Sequence, residues 1–373
     1  MSKSYYSLGL MSGTSMDGVD ASIIQSDGKS KYKAILDKYF EYPKDIFKDL
    51  TTLRDKIKSS KDLKRFEKQT KSIEKEITLF HAKAASKIIK KSKLNVDFIG
   101  FHGQTIFHNA EEQISRQIGD GKLLSKLTKK KVVYNFRQND LKYGGQGAPL
   151  TPIFHSILVK QKKIPLPVVI LNIGGITNYT FIDEKGVSSG LDLGPGNCLI
   201  DQWVRLNSKK KYDENGRIAK SGKIKKIIIN KALKNFKKKK LIKSSFDVKD
   251  FDISFVRGLS LEDGAATLTE YTSEILYEYL IDPEGGTWES TIITGGGRKN
   301  KFLIKSIEDK IKSLGTLNSP LKLIDDYGVD GDFIESQAFA YLAIRSYLNL
   351  PISFPETTGV REPCNGGTIV KNF

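Results

Sequence analysis

The 373-residue chain sets 61 Lys and Arg against 43 Asp and Glu, for a formal net charge of +18, and 39% of its residues are hydrophobic. That composition excludes a mainly disordered chain, and the length favours two domains over one. Two cysteines, Cys198 and Cys364, are too few for a disulfide framework; no stretch nears the roughly 20 apolar residues of a membrane span, and no charged-then-apolar leader is read at the start, so a cytoplasmic protein is expected.

The first element is a hairpin. Ser7 to Met11 is apolar, breaks at Ser12-Gly13-Thr14-Ser15 and resumes from Val19 to Ile24, the pattern of two strands around a small-residue turn. The turn Gly13-Thr14-Ser15-Met16-Asp17-Gly18-Val19-Asp20 suits a polyphosphate: glycines let backbone N–H groups approach oxygen, and Thr14 and Ser15 offer hydroxyls. Asp17 and Asp20 are candidate Mg²⁺ ligands, since that ion takes a few carboxylates and completes its shell with phosphate oxygens. A purely structural turn reads the same residues equally well.

Ile73, Ile77, Phe80, Ala84 and Ile88 recur at spacings of three and four and predict a long helix with one apolar stripe. A short strand, Val96 to Gly100, follows and ends in His102-Gly103-Gln104-Thr105, where open α/β sheets place ligands. The breaker-rich run Lys142 to Pro149 is read as a domain crossing.

A second hairpin, Val168 to Ile173 and Thr177 to Ile182 around Gly174-Gly175, repeats the first and points to a duplicated α/β unit with a cleft between the copies. Its turn, Asn172, Gly174, Gly175, Thr177 and Asn178, repeats the phosphate-binding chemistry. The run Gly190-Leu191-Asp192-Leu193-Gly194-Pro195-Gly196-Asn197 puts a carboxylate before a constrained turn, where Asp192 serves either as a rigid general base or as a helix cap. The lysine runs Lys209 to Lys211 and Lys237 to Lys240 lack interleaved aromatics or a nucleic-acid module. They read as solvated helix faces, so neither a nucleic acid nor a membrane is expected as partner. A third glycine cluster, Gly295, Gly296 and Gly297 followed by Asn300, comes after the strand Ser290 to Ile293 and opens a helix, a place for a nucleoside. A last helix is read over Ile334 to Leu348, before a Pro/Gly-rich tail that packs back on the first domain.

Together these stretches resemble the anhydro-N-acetylmuramic acid kinases of the actin, sugar kinase and Hsp70 ATPase superfamily. The matching runs are Gly9 to Asp20, Gly100 to Thr105, Gly144 to Leu150, Asn172 to Asn178, Asp192 to Asp201, Thr294 to Asn300 and Asp332 to Ala340, in family order along the chain. The resemblance implies a two-domain actin-like ATPase, a duplicated RNase H-like α/β fold with an interdomain active-site cleft. Domain I is expected over 1–136 plus 346–373 and domain II over 137–345. It implies ATP and Mg²⁺ as cofactors, Gly13 to Asp20 and Asn172 to Asn178 as opposed phosphate loops joined by Gly194, Gly196 and Asn197, and Gly295 to Gly297 as the adenosine site. Asp192 would activate water against the anomeric carbon of a 1,6-anhydro-amino sugar. The freed O6 would then take the γ-phosphoryl group to give N-acetylmuramic acid 6-phosphate. Gln104, Arg137 and Glu335 would touch the sugar, and a homodimer is possible.

Without the resemblance, Arg137 reads as a surface ion-pair member, Glu335 as a solvated residue near a helix start, and His102 and Gln104 as satisfying a buried loop. His108 and His155 lack metal-ligand spacing, so no zinc is expected. Asn135 stands where the family usually has Asp, and 207–255 matches poorly, Lys243-Ser244-Ser245 only faintly resembling the family's segment there. The competing functions are a hexose or N-acetylhexosamine kinase on the same scaffold and a non-catalytic nucleotide-gated binding protein.

Overall fold

The computed structural model describes residues 3–240, 245–281, 288–313 and 321–373. They form two compact units, Met1–Ile164 with Asp332–Phe373, and Pro165–Gly331.

In the first unit, β1 (Tyr5–Ser12), β2 (Gly18–Ser26) and β3 (Tyr32–Glu41) run antiparallel in sequence. β4 (Phe98–Asn109) returns parallel to β1 and β6 (Lys131–Tyr134) parallel to β4, while β5 (Ile114–Ile118) folds back on β4. The order is β12-β6-β4-β1-β2-β3, with β12 (Thr368–Val370) antiparallel to β6 at the edge, so the tail does pack on this unit. The expected long helix is Glu67–Ser92, whose buried positions include Ile73, Ile77, Ala84 and Ile88, the stripe read from the spacing. Ile73, Ile77 and Ile88 share one core with Leu8, Leu10, Ile23 and Ile99, and the half-buried Phe80 of the same stripe packs against it.

The second unit repeats the scheme. β7 (Val168–Ile173), β8 (Ile176–Ile182) and β9 (Ser188–Pro195) are antiparallel; β10 (Ser290–Thr294) lies parallel to β7, and β11 (Leu321–Leu323) parallel to β10, in the order β11-β10-β7-β8-β9. Three antiparallel strands followed by two parallel ones recur in both units, the duplication that the two hairpins predict.

The unit boundaries differ from the expected 1–136 plus 346–373 and 137–345, for a physical reason. The glycine-rich run read as a crossing is pinned inside the first unit: the buried Asp140 carboxylate accepts from Gly147 N–H (2.6 Å) and from the Thr358 hydroxyl, and Gln146 N–H donates to Thr358 O (2.7 Å). The helix Ile334–Tyr347 belongs there as well, lying against β1, β2 and β4. Ser336 Oγ on that helix is 2.6 Å from Ser22 Oγ on β2.

Candidate active site

In the first unit the turn between β1 and β2 is built from beneath. Met16 takes the left-handed conformation (φ 58°) with its side chain buried, and its N–H closes on Gly13 O (3.2 Å). Ser12 Oγ lies 2.8 Å from both Gly18 O and Gln104 Oε1, so its one proton is shared between them and the Tyr42 hydroxyl, 3.1 Å away, is the donor to it. Burial pushes the Tyr42 phenol well above its usual range, which keeps that donor protonated. Gln104 Nε2 donates to Gly13 O (3.0 Å).

The carboxamide of Gln104 is therefore spent on the turn, and the side chain is fully buried. Gln104 was expected at the sugar; the structure places it as a brace beneath the first turn, because burial leaves it no surface to offer. Thr14 and Ser15 are exposed, and Asp17 and Asp20 are half-buried. Burial first, then the charges of Asp17, Glu41 and Asp20, hold the Tyr39 phenol above its usual range, and Asp20 pairs with Tyr39 across the β2–β3 ladder. Ser15 Oγ donates to Asp17 Oδ1. Among the described residues no group of three or more His, Cys, Asp or Glu gathers to hold a metal. Two carboxylates are a donor set for Mg²⁺ only when phosphate oxygens and water complete the shell.

β4 also carries His102. The pairing of β4 with β1 shifts register there, Leu10 facing Phe101 and Met11 facing Gly103, so His102 is the extra residue of a β-bulge and Gly103 takes φ 74°. Arg137 donates through Nη2 to His102 Nε2 (3.0 Å) and through Nη1 to Gly147 O (2.7 Å). The His102 ring packs at 4.5 Å on Phe339. Glu335 precedes Phe339 by four residues, one turn away on the same helix face, and is half-buried. The structure therefore brings the regions of Arg137 and Glu335 together around His102, and Asn135, at φ 58°, forms the turn leading to Arg137.

In the second unit the turn after β7 and the turn after β9 are one object. Gly196 N–H donates to Gly175 O (2.9 Å), Asn197 N–H to Gly174 O (2.8 Å) and Cys198 N–H to Gly175 O (3.2 Å). The glycines divide into two kinds by what an added Cβ would meet. At Gly196 it would lie 2.3 Å from Gly174 O, at Gly295 2.5 Å from Asn172 Oδ1, at Gly297 2.2 Å from Ile173 Cγ2 and at Gly194 2.9 Å from the Phe236 ring; at Gly18 in the first unit it would lie 2.5 Å from Phe40 O. These glycines serve close packing of the turns. At Gly296 nothing lies within 4 Å, and at Gly13 the nearest atom is Ser15 Oγ at 4.0 Å, so these two backbones have open space for a ligand.

Asn172 is buried, with Oδ1 accepting from the Thr294 hydroxyl (3.3 Å), and it joins the two glycine turns. Asn300 is likewise buried, and its Oδ1 accepts from Leu303 N–H (3.1 Å), capping the helix Lys301–Ser313. Thr177 Oγ1 and Asn178 Oδ1 are buried with no hydrogen-bond partner among the described residues. Across the sheet Asn178 pairs with Asp192. Asp192, 6% exposed, accepts on Oδ2 from Phe246 N–H (3.0 Å) and Ser245 Oγ (3.2 Å), two donors that fix its carboxyl plane.

The family pattern described as anhydro-N-acetylmuramic acid kinase matches residues 5–372. The chain belongs to the anhydro-N-acetylmuramic acid kinase family. It is 56% identical over 382 residues to the anhydro-N-acetylmuramic acid kinase of Pelagibacter ubique (strain HTCC1062), covering 100% of both chains. The enzymes of that name from Zymomonas mobilis (39% identity; 97% of this chain, 98% of theirs) and Agrobacterium fabrum (37%; 98% of both) are similar throughout. Among solved structures, component A of (R)-2-hydroxyglutaryl-CoA dehydratase from Acidaminococcus fermentans is similar over 92% of this chain and 99% of that one, at 14% identity and a TM-score of 0.46.

Sequence reasoning missed three contributors to this kinase-family site. Ser245 and Phe246 lie in the lysine-rich stretch that resembled nothing clearly, and the Lys243 and Ser244 of the faint resemblance fall outside the described residues. Their signal was the phenylalanine spacing of Phe246 and Phe251, whose rings meet at 5.3 Å and anchor the segment. Arg298, read only as part of the third glycine cluster, is 4% exposed. It grips Asp325 through Nε–Oδ2 (2.6 Å) and Nη2–Oδ1 (3.0 Å), reaches Asp330 Oδ1 (3.2 Å), and donates through Nη1 to Gly295 O (3.1 Å). Its hydrogen bonds first, and then its charge, hold the Asp325 carboxyl below the usual carboxylate range against the opposing effect of burial.

Arg298→Ala is expected to release the Gly295 turn, costing about 1.5–3 kcal/mol for the lost charged hydrogen bonds, less the share that solvent screens at the half-exposed aspartates. A melting curve and a Michaelis plot for ATP check it. A lowered Tm and a raised ATP KM are expected together; an unchanged ATP KM would separate the turn from the nucleotide.

Proposed function

We propose that this chain carries out the reaction for which its family is named: ATP-dependent, hydrolytic opening of 1,6-anhydro-N-acetylmuramic acid with phosphorylation of O6. Asp192 accepts a proton from water as that water bonds to C1; the C1–O6 bond breaks, and O6 takes the γ-phosphoryl group, leaving N-acetylmuramic acid 6-phosphate and ADP. Such a step serves cell-wall recycling and amino-sugar catabolism. The observation that carries this reading is the full-length family match, with a buried aspartate fixed by two donors beside a pair of side-chain-free turns. Phosphoryl transfer asks of a protein mostly positioning and charge stabilisation, which rigid small-residue turns supply.

The remaining assignments belong to the same reading. The backbone of Gly13, with the hydroxyls of Thr14 and Ser15, and the turn of Gly174 and Gly175 hold phosphate oxygens. Gly296 offers open backbone to the nucleoside, while Gly18, Gly194, Gly196, Gly295 and Gly297 keep the turns closely packed. Asp17 and Asp20 are the carboxylates that would hold Mg²⁺, which supplies charge neutralisation to the phosphates. Gln104 acts through the turn it braces, and Arg137 and Glu335 contact the sugar. A cytoplasmic home accords with two free, buried cysteines and with the finding that no described helix is long and apolar enough to cross a membrane. A homodimer is the proposed assembly.

Reaction in ¹⁸O-water with ATP, Mg²⁺ and the anhydro sugar tests this. Label is expected at the C1 hydroxyl of the product, read by mass spectrometry. Label absent from C1, or turnover only with reducing sugars, would instead mark a hexose or N-acetylhexosamine kinase.

A further inference from the structure

We propose that His102 is a positioning residue for the sugar-binding arginine: the bulge on β4 turns its imidazole so that Nε2, as a hydrogen-bond acceptor, sets the plane of the Arg137 guanidinium. The role rests on the assignment of Arg137 to the sugar. The geometry accounts for both ring nitrogens. Nδ1 is 2.9 Å from Gly103 O, a carbonyl that can only accept, so Nδ1 carries the proton. Nε2 then bears the lone pair and receives Arg137 Nη2 at 3.0 Å. A guanidinium has no acceptor, so an imidazolium at this place would leave two donors facing each other.

The surroundings hold that state. His102 is 5% exposed; burial, and then the charge of Arg137, push its pKa down to about 3. At physiological pH the acceptor is therefore always present. The charged and titratable neighbours are Arg137 at Nε2 and, more weakly, His81, itself pushed down to about 4 by burial. The ring cannot swing away, because Phe339 covers it at 4.5 Å. The second nitrogen of Arg137 is held by Gly147 O, whose loop is tied down by the buried Asp140 carboxylate. Two neutral acceptors, one from a bulge and one from a pinned loop, thus fix the fork of the guanidinium. Such a fork reads a planar anion by two parallel N–H donors, and a misaligned fork loses that geometry before it loses its charge.

The test compares His102→Phe, which keeps the ring packing but has no acceptor, with His102→Gln, whose carbonyl can replace Nε2. His102→Phe is expected to raise the KM for the anhydro sugar about 10- to 100-fold, with a much smaller change in kcat and in the ATP KM, and His102→Gln to recover most of the loss. In an Arg137→Ala background, His102→Phe is expected to add nothing further. Arg137→Ala raising the sugar KM while His102→Phe leaves it alone would overturn the proposal and spare the reading of Arg137. Arg137→Ala leaving it alone would overturn both. Should His102→Phe fail to fold, ¹⁵N NMR of the histidine-labelled wild-type protein decides: the neutral, Nδ1-protonated tautomer is expected throughout pH 5 to 8, and an imidazolium in that range would overturn the proposal.

Discussion

Asp192→Asn is expected to abolish most turnover while leaving the protein folded and able to bind ATP. The carboxamide keeps the shape of the carboxylate, and its oxygen can still accept from Ser245 Oγ and Phe246 N–H, so the local structure survives. What is lost is the ability to take a proton from water. Loss of a positioned general base alone is worth roughly 10²–10⁴-fold in kcat. ATP affinity, read by isothermal titration in the absence of sugar, is expected to stay within about two-fold, because no step of nucleotide binding asks Asp192 for a proton. A variant that keeps its kcat would remove Asp192 from the chemistry and favour a nucleotide-gated binding protein, which needs no base. A variant that loses ATP binding and its melting transition together would make Asp192 a structural residue of β9.

The two hairpins were legible because each is a local pattern: an apolar run, a break of small residues and a second apolar run need no distant partner. The helix Glu67–Ser92 was legible for the same reason, its stripe recurring at three and four. The site was legible where it consists of such turns. It was not legible where a residue's role depends on something far along the chain. Ser245 and Phe246 reach Asp192 across more than fifty positions, and the local spacing of Phe246 and Phe251 says nothing of that distant partner. Gln104 looked like a ligand group in a polar loop; only the extension of β4 to Asn109, with Ser12 and Gly13 alongside, shows that its carboxamide is already engaged. The run Lys142 to Pro149 has every local mark of a linker, and it is held in the first unit by Asp140 and Thr358, which local composition cannot announce.

Gly9→Ala and Gly100→Ala, in contrast, are expected to damage the fold of the first unit. Both look like ordinary strand residues, and a glycine inside a strand normally weakens it. The helix Ile334–Tyr347 explains them. A Cβ at Gly9 would lie 1.8 Å from Ser336 O and 2.7 Å from Ala340 N, and one at Gly100 would lie 2.2 Å from Phe339 O. The atoms in the way are helix backbone, which cannot rotate aside as a side chain would. The helix must lift off the sheet, and it carries Glu335 and the Phe339 ring that covers His102. Overpacking of a core costs about 1–3 kcal/mol when side chains can yield, and more is expected here. For a unit of this size each kcal/mol lowers Tm by about 2–4 °C. Gly296→Ala is the contrasting case, since nothing lies within 4 Å of its new methyl: Tm is expected to hold while the ATP KM rises. Calorimetry of the three variants decides between the two kinds of glycine. A Gly9→Ala protein melting with the parent would show that this helix does not rest on β1, and with it would fall the packing of Phe339, one turn from Glu335, on His102.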